Sequence, residues 1–308
     1  MRICVTGAGG NLGRVVVPAL AAAGHELRLL DFRDLPGEHE LLVGDVRDPD
    51  IVARAVAGVD AVVHGAALHG VHLGTWPASD FWSTNATGTF NVYEAARAAG
   101  VQRVVLASSM VVYGGVAGES ERWSVVTEET APRPADLYGL TKVVSEDVAR
   151  SYADVHGITT VALRFGMFVP ETFERYGFRL LFGGVDDRDV AQAVELALEH
   201  DAPERFDALN IMADSGLTPA DVPRLDADVA AMLEERWPGT LELVRRHGID
   251  LHDVVWGRLL FPIDRARSVL GWEPRYDFGA FLEAWRRGDR EHYPFADEEW
   301  WGAQRPAS

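Results

Sequence analysis

The amino-acid sequence predicts an α/β fold whose core is a doubly wound parallel sheet. Short β-branched runs alternate with alanine-rich helical stretches from the first residues to about residue 165. A glycine-rich turn, residues 6–13, joins the first of these runs to the first helical stretch. Because parallel strands need crossover connections, this alternation is typical of βα units wound into one sheet.

Each element of the sheet follows from its local pattern. Short apolar runs predict strands at residues 3–6, 26–31, 41–44, 61–64, 103–108 and 160–165. Apolar residues at helical spacing predict helices at residues 11–23, 50–57, 85–99 and 138–156. Gly24, Gly100 and Gly157 stand where three of these helices should end, since glycine readily adopts the left-handed conformation of a helix C-terminus.

The pattern changes beyond Pro170, and this change predicts a second, smaller unit. We expect residues 1–170 to form one domain and residues 171–308 to form a small, mostly helical C-terminal substrate lobe. Residues 187–212 contain a helix and a strand-like run, and we expect this segment to return to the first domain.

Two parts of the lobe have no clear role from sequence. Residues 219–250 predict a pair of helices, and the wider region 219–260 could enlarge a pocket. Trp300 and Trp301, near the C-terminus, are expected to pack over the lobe rather than meet a partner subunit.

The balance of charges narrows the range of partners. The chain has 308 residues and a formal net charge of -18 at pH 7. Nucleic-acid backbones and anionic membranes repel so acidic a protein, and we expect neither as a partner. The single cysteine, Cys4, lies in an apolar run and is expected to be a buried thiol. The sequence shows no signal-like leader and no apolar run of about 18 residues, which predicts a cytoplasmic protein.

The glycine-rich turn predicts a nucleotide site. Gly7, Gly10 and Gly13 stand where missing Cβ atoms permit a tight turn, a close backbone approach and helix packing. The helix N-terminus can then hold a pyrophosphate. Asp31 ends the second strand, where a carboxylate accepts hydrogen bonds from ribose hydroxyls and repels a 2′-phosphate. NAD is therefore expected rather than NADP, although Arg33, expected to be a solvated surface charge, could offset part of that repulsion.

Two residues of the last helix in the first domain indicate general acid–base chemistry. Tyr138 and Lys142 are four residues apart, so they share one helix face, and the ammonium is expected to lower the pKa of the phenol. That makes Tyr138 a candidate general base. His64, His69 and His72 match no zinc spacing, and no metal is expected.

The order of the motifs resembles a known family. After the glycine turn come Asp45-Val46, His64-Gly65-Ala66-Ala67, Asn85-Ala86-Thr87-Gly88-Thr89, Ser108-Ser109 and Tyr138 to Lys142. This series is similar to the extended short-chain dehydrogenase/reductase family over about residues 1–170. Later landmarks of that family are matched more weakly by Asp187-Arg188-Asp189-Val190-Ala191 and Leu270-Gly271-Trp272-Glu273-Pro274. The resemblance implies a Rossmann domain with a small substrate lobe.

The resemblance also implies roles for individual residues. Ser109 would hydrogen-bond the reacting hydroxyl, Tyr138 would remove its proton, and Lys142 would hold the ribose of the cofactor. The cofactor-binding residues would be Gly7, Gly10, Asn11, Leu12, Gly13, Asp31, Asp45, Val46, Ala66, Ala67, Asn85, Tyr138, Lys142 and Phe165. A homodimer would pair the helices that start at Asn85 and Tyr138. Its apolar surface would include Val143, Val144, Ala149 and Tyr152.

Three departures from the family pattern bear on the reaction. Met110 and Val111 stand where dehydratases of the family carry an Asp-Glu pair, which disfavours dehydration. Met167 stands near the place of an asparagine that contacts the nucleotide sugar in related enzymes. The stretch from Pro170 to Asp187 is shorter than in nucleotide-sugar epimerases, and it resembles the corresponding stretch of uronate dehydrogenase.

Two enzyme hypotheses therefore stay open. The run from Ser108 to Gly114 is similar to epimerases and favours an epimerase-type reaction on a secondary hydroxyl of a sugar or nucleotide sugar. The alternative is an NAD-dependent dehydrogenase of a free sugar or uronate. A non-catalytic NAD sensor is a third class, but such a protein would be expected to lose the Tyr138 and Lys142 pair.

The substrate residues are predicted from their place near the strand ends. They are His69, Met110, Met167, Arg175 and Arg179. Arg175 and Arg179 could bind a uronate carboxylate or a diphosphate, because a guanidinium suits both anions. The alternative is ion pairing with Glu171 and Glu174, which helical spacing also allows.

Overall fold

A parallel sheet forms the centre of the protein. The computed structural model describes residues 1–117, 122–200, 204–251, 255 and 257–298. The strands of these residues are β1 (Arg2–Thr6), β2 (Glu26–Asp31), β3 (Glu40–Val43), β4 (Ala61–His64), β5 (Arg103–Ser109), β6 (Ser124–Val125), β7 (Thr159–Phe165), β8 (Phe206–Ile211) and β9 (Leu259–Leu260). Seven of the strands described here form one sheet in the order β3-β2-β1-β4-β5-β7-β8, with every neighbouring pair parallel. The strands β6 and β9 pair separately.

Helices cover both faces of this sheet. Within the described ranges they are α1 (Asn11–Ala22), α2 (Pro49–Val56), α3 (Ala78–Phe81), α4 (Gly88–Ala99), α5 (Gly114–Ala117), α6 (Leu137–His156), α7 (Phe173–Leu181), α8 (Asp187–Glu199), α9 (Val222–Ala227), α10 (Val229–Arg236), α11 (Thr240–His247), α12 (Asp264–Leu270) and α13 (Phe278–Arg287). The predicted α/β fold of the Rossmann type is therefore confirmed.

The differences from prediction lie at element ends. The helix predicted to begin at Asn85 begins at Gly88, because a π-helical turn, Trp82–Thr87, precedes it. The helix predicted from residue 138 has its N-terminus fixed by Asp136, whose carboxylate accepts a hydrogen bond from the Gly139 amide at 2.7 Å. The Asp136 cap thus fixes the first turn of α6, which contains Tyr138.

Residues 219–250 hold three short α-helices instead of the predicted pair. Asp228 breaks the first from the second by capping α10, where its side chain accepts from the Ala231 amide at 3.0 Å. Gly239, with a φ of 95°, separates the second from α11. Aspartate caps and left-handed glycines both end helices, and the hydrophobic pattern alone did not resolve these breaks.

The C-terminal lobe is held by buried aromatic side chains. Phe173 and Phe178 of α7 pack against Phe281 and Phe278 of α13, with ring centroids 5.0 and 5.4 Å apart. Residues 206–211 lie in the main sheet, because β8 pairs with β7. The domain boundary after residue 170 stays a prediction.

Two further predictions concern the C-terminal tryptophans and membrane-spanning helices. Trp300 and Trp301 lie outside the described residues. Among the residues that the structure describes, no helix combines the length and the apolar character that a bilayer crossing requires.

A buried ion pair joins α6 to the central sheet. Glu146 and Arg164 have side chains only 4% and 3% exposed, and Arg164 Nη2 lies 2.6 Å from Glu146 Oε2. Ser108 donates to the other carboxylate oxygen at 2.5 Å. The same guanidinium donates to the hydroxyl of Tyr113. One carboxylate therefore connects α6, β5 and β7.

Replacing Glu146 by Gln is expected to lower the free energy of unfolding by about 3–5 kcal/mol, because it leaves Arg164 buried without a counter-ion. Chemical denaturation measures this change. The double variant Glu146→Gln/Arg164→Gln should regain part of the loss, since no isolated charge remains.

The matched control is Glu283→Gln. Glu283 faces Arg287 at 3.9 Å on the exposed surface of α13, so its loss should change stability by less than about 1 kcal/mol. A loss below about 1 kcal/mol for Glu146→Gln as well would contradict the importance of the buried pair.

Candidate active site

A cleft of about 610 Å³ opens at the carboxyl edge of the main sheet. This volume is typical of small-molecule sites, and the cleft lies where the strand order reverses between β1 and β4. The sequence-predicted residues that line it are Gly7, Gly10, Asn11, Leu12, Asp31, Asp45, Val46, Ala66, Ala67, His69, Ser109, Met110, Tyr138, Lys142, Phe165 and Met167.

The glycine turn at one end of the cleft is shaped for a bound anion. Gly7 has a φ of 69°, and a Cβ on this residue would lie 2.7 Å from the backbone of Ala66. Asn11 stands at the first turn of α1, and its buried Oδ1 accepts no hydrogen bond from any described residue. A helix N-terminus favours negative charge. The turn therefore fits NAD, whose pyrophosphate would lie at the helix and whose hydroxyls could donate to Asn11.

Asp31 ends β2 inside the cleft, and its carboxylate is already organised. Oδ2 accepts a hydrogen bond from the Gly9 amide at 2.8 Å. Oδ1 accepts from the amide of Arg33 at 3.0 Å and from its guanidinium Nε at 3.1 Å. Arg33 also lines the cleft, so the expectation of a solvated surface charge is wrong. The cleft holds an Asp–Arg pair where the ribose of NAD would lie.

We call the part of the cleft that contains the glycine turn, Asp31 and Asp45 the nucleotide half. Its far end is formed by the loop after β3. Asp45 is fixed by Arg47, with Nη2 and Oδ2 2.6 Å apart. Asn91 of α4 donates to the carbonyl of Val46 at 2.9 Å. These contacts hold Asp45 and Val46 at the cleft wall, where they can border an adenine ring.

Ser109, Tyr138 and Lys142 meet on the wall of the cleft opposite the glycine turn. Burial raises the pKa of Tyr138 above the usual range of a phenol, and a hydrogen bond with Ser109 acts in the opposite direction. Lys142 Nζ lies 5.8 Å from the Tyr138 ring centroid and donates to the Ala107 carbonyl at 2.6 Å. The ammonium of Lys142 thus binds the Ala107 carbonyl and not the phenol. The prediction that Lys142 lowers the pKa of Tyr138 is therefore wrong for the protein without cofactor.

Burial also affects the pKa of Lys142 itself. It lowers the pKa of Lys142 to about 8, and Glu146, one turn further along α6, opposes this effect. The ammonium is charged below about pH 8. At neutral pH it can therefore donate to a ribose hydroxyl.

The remaining wall faces the phenol of Tyr138. The ring of His69 lies 4.9 Å from that of Tyr138, and burial lowers the pKa of His69 to about 4, so this imidazole is neutral at pH 7. Met110, Met167 and Phe168 add apolar surface. In the described part of the chain, no three His, Cys, Asp or Glu side chains are grouped to hold a metal.

Four residues that the sequence predicted for the site do not line the cleft. Arg175 and Arg179 do not line the cleft, because both guanidiniums pair with Glu171. The predicted anion site at these arginines therefore lies outside the cleft. Of the alternative weighed from helical spacing, the pairing with Glu171 is present, whereas Glu174 pairs with Arg290 at 2.9 Å. Gly13 packs on the turn instead, since a Cβ there would lie 2.0 Å from the Ala8 carbonyl oxygen.

Asn85 is the fourth of these residues. Its Oδ1 accepts from the Leu68 amide at 2.7 Å, and its Nδ2 donates to the Leu68 carbonyl at 3.0 Å and to Thr141 at 2.9 Å. The side chain is buried and fully engaged. Asn85 therefore fixes the loop after β4 against α6 and does not reach the cofactor space.

Sequence reasoning missed several residues that support the site. Glu146 and Arg164 fix α6, the helix that carries Tyr138 and Lys142, and Trp76 packs beside Tyr138. The only sequence signal for Glu146 was its place four residues after Lys142. Arg164 lies within an apolar strand, where a lone arginine indicates a buried partner.

Comparison with known proteins agrees with this geometry. Residues 3–175 match the family described as the NAD dependent epimerase/dehydratase family. A uronate dehydrogenase of Pseudomonas syringae pv. tomato is 37% identical over 201 residues, which cover 64% of this chain and 69% of that protein. An L-arabinose 1-dehydrogenase (NAD(P)(+)) of Haloferax volcanii is 38% identical over 150 residues, covering 46% of this chain and 57% of that protein.

A solved structure extends the similarity to the C-terminal lobe. The uronate dehydrogenase from Agrobacterium tumefaciens superposes with a TM-score of 0.66 at 26% identity, covering 94% of this chain and 88% of that chain. The family match spans more than half of the 308 residues and contains the glycine turn and all three candidate catalytic residues. The chain is therefore an enzyme that belongs to the NAD-dependent epimerase/dehydratase family.

Proposed function

We propose that this enzyme is an NAD-dependent dehydrogenase that oxidises a secondary hydroxyl of a free sugar. The observation that carries the proposal is the grouping of Ser109, Tyr138 and Lys142 beside a cleft whose other half fits a dinucleotide. Cofactor and substrate would thus meet at Tyr138. A non-catalytic NAD sensor would not require these three side chains together.

The chemistry follows from the positions of the side chains. Ser109 donates a hydrogen bond to the substrate hydroxyl and holds it against the phenolic oxygen of Tyr138. Ionised Tyr138 takes the hydroxyl proton as the carbon–oxygen double bond forms. When bound, NAD supplies the hydride acceptor for the carbon, and its positive charge favours the ionised phenol. Lys142 would hold the ribose of bound NAD, and its ammonium would add a second positive charge near Tyr138.

Several observations favour a dehydrogenase over an epimerase. The stretch between β7 and α8 contains only the helix α7, which packs on the lobe core. Its two arginines both pair with Glu171. A nucleotide-sugar diphosphate would have to compete with Glu171 for these guanidiniums, and neither of them lines the cleft. The two dehydrogenases named above support the same choice.

An epimerase-type reaction on a sugar or nucleotide sugar stays the second candidate. The run from Ser108 to Gly114 favours it, because the run is similar to that of epimerases. The two reactions differ in their products. A dehydrogenase releases one NADH for each substrate oxidised, whereas an epimerase returns the hydride and accumulates none.

Tyr138→Phe should lower turnover by about 10² to 10⁴, the usual range for losing a general acid or base. NAD should still bind, because the phenol ring stays in place. NADH absorbance during sugar oxidation measures turnover, and calorimetric titration measures NAD binding. Turnover at the wild-type rate would show that Tyr138 is not the base.

NAD should bind at least about tenfold more tightly than NADP, because Asp31 repels a 2′-phosphate. Arg33 is placed to attract that phosphate, and a hydrogen bond to a charged group contributes about 1.5–3 kcal/mol. Arg33→Ala should therefore weaken the binding of NADP by about tenfold or more, while the binding of NAD stays unchanged.

Arg47→Ala is the control for this pair. Arg47 lines the cleft at the far end of the nucleotide half, so its loss should affect both cofactors equally. Calorimetric titration gives all the affinities. Equal binding of NAD and NADP by the wild-type enzyme would reject the role of Asp31.

We also infer a homodimer through α4 and α6. Phe90, Leu140 and Val155 on these helices are 47%, 41% and 70% exposed. Two residues expected on this surface, Ala149 and Tyr152, instead pack in the core beneath it. A second copy would cover the three exposed apolar side chains.

The dimer predicts a light-scattering mass of twice 33.8 kDa at micromolar concentration. Phe90→Asp/Val155→Asp should reduce it to the monomer mass, because each substitution sets a charge in the apolar contact. Val43→Asp, on the exposed edge strand β3, is the control and should leave the dimer intact. A monomeric wild-type protein would contradict the interface.

A further inference from the structure

The end of the cleft that faces Tyr138 is mainly apolar. We call it the substrate end, and its side chains are those of His69, Trp76, Met110, Val111, Met167 and Phe168. Trp76 and Val111 pack in one cluster with Tyr138. Phe168 stands edge-on to Phe165, with centroids 5.5 Å apart. These contacts build the substrate end from aromatic and thioether surfaces around the catalytic phenol.

The positive charges of the cleft lie elsewhere. Arg33 pairs with Asp31 and Arg47 with Asp45, both in the nucleotide half. In the described part of the chain, Lys142 is the one lysine or arginine lining the cleft near Tyr138, and its ammonium donates to the Ala107 carbonyl.

Neither the two histidines nor the nearby arginines place a positive charge in the substrate end. His72 also lines the cleft, and its Nδ1 accepts a hydrogen bond from the His69 amide at 2.9 Å, so this nitrogen carries no proton. His69 is neutral at pH 7, because burial lowers its pKa to about 4. Arg175 and Arg179, on α7, share the single carboxylate of Glu171, and neither guanidinium lines the cleft. Among the described residues, a carboxylate carried into the substrate end would therefore meet no lysine or arginine apart from Lys142.

This distribution discriminates between substrates by charge. Moving a carboxylate from water into an apolar site without a counter-ion costs several kcal/mol of solvation free energy. A sugar hydroxyl is neutral, and one hydrogen bond in the site largely offsets its loss of water. Ser109, Tyr138 and the neutral imidazole of His69 can make such bonds. The C–H face of a sugar ring can pack on Trp76 or Phe168, since both are apolar and aromatic.

We propose that the substrate is an uncharged monosaccharide, and that the apolar substrate end rejects the corresponding uronate. The inference rests on the proposed dehydrogenase function and narrows its substrate class. It also separates this chain from the uronate dehydrogenases that it resembles.

Two matched series of sugars test the proposal. L-Arabinose, D-galactose and D-galacturonate share one arrangement of ring hydroxyls and differ in the group beyond the ring, and D-xylose, D-glucose and D-glucuronate form the second series. Calorimetric titration into the Tyr138→Phe variant with bound NAD measures binding without turnover. NADH formation by the wild-type enzyme measures kcat/KM.

The expected result is that the neutral sugars of one series bind at least tenfold more tightly than its uronate, with the same order in kcat/KM. A uronate that binds or reacts as well as the neutral sugars would overturn the proposal. NADH formation from an uncharged alcohol that is not a sugar, with none of the six sugars bound, would overturn it as well. If Tyr138→Phe retains wild-type turnover, the proposed function itself fails.

A gain-of-charge variant provides the reciprocal test. Met167→Arg places a guanidinium at the substrate end, and Met167→Gln places an uncharged side chain there as the control. The arginine variant should raise the ratio of uronate to neutral-sugar kcat/KM at least tenfold, and the glutamine variant should not. An equal rise in both variants would mean that shape, and not charge, excludes the uronate. The wild-type series decides the question even if Met167→Arg does not fold.

Discussion

The buried pair of Glu146 and Arg164 is the interaction on which the catalytic half of this enzyme depends. Glu146 lies one turn after Lys142 on α6, and its carboxylate also binds Ser108, the neighbour of Ser109 on β5. Arg164 immediately precedes Phe165 at the end of β7. The pair therefore fixes the helix that carries Tyr138 against the strand that carries Ser109. An ion pair shielded from water keeps this geometry only while both partners are present.

The cleft combines two chemical environments at one sheet edge. Its nucleotide half is polar, with the glycine turn, the Asp31–Arg33 pair and the Asp45–Arg47 pair. Its substrate end is apolar and contains a buried phenol and a buried ammonium. Burial makes both groups harder to ionise, so the charges brought by the cofactor and by Glu146 matter for the reaction. Apolar surroundings also strengthen each hydrogen bond to the substrate.

Local patterns in the sequence predicted much of this architecture. The glycine turn and the spacing of Tyr138 and Lys142 depend on neighbouring residues, so periodicity and motif order were sufficient to place them. Long-range partners were not predictable in the same way. Asn85 was expected at the cofactor, but it binds Leu68 and Thr141, and Arg33 turned out to face the cleft. Which of several possible partners a charged side chain selects depends on the folded geometry, as Arg179 and Glu171 illustrate. A cytoplasmic location stays a prediction.

Direct hydride transfer from the substrate to NAD is the central claim, and isotope transfer tests it. A sugar that the enzyme oxidises would carry deuterium on the carbon of the reacting hydroxyl, and mass spectrometry of the NADH formed in ordinary water would locate the label. The account predicts one deuterium in each NADH molecule and a slower rate than with the unlabelled sugar. NADH without deuterium would contradict it, because the hydrogen would then come from water and not from the carbon held beside Tyr138.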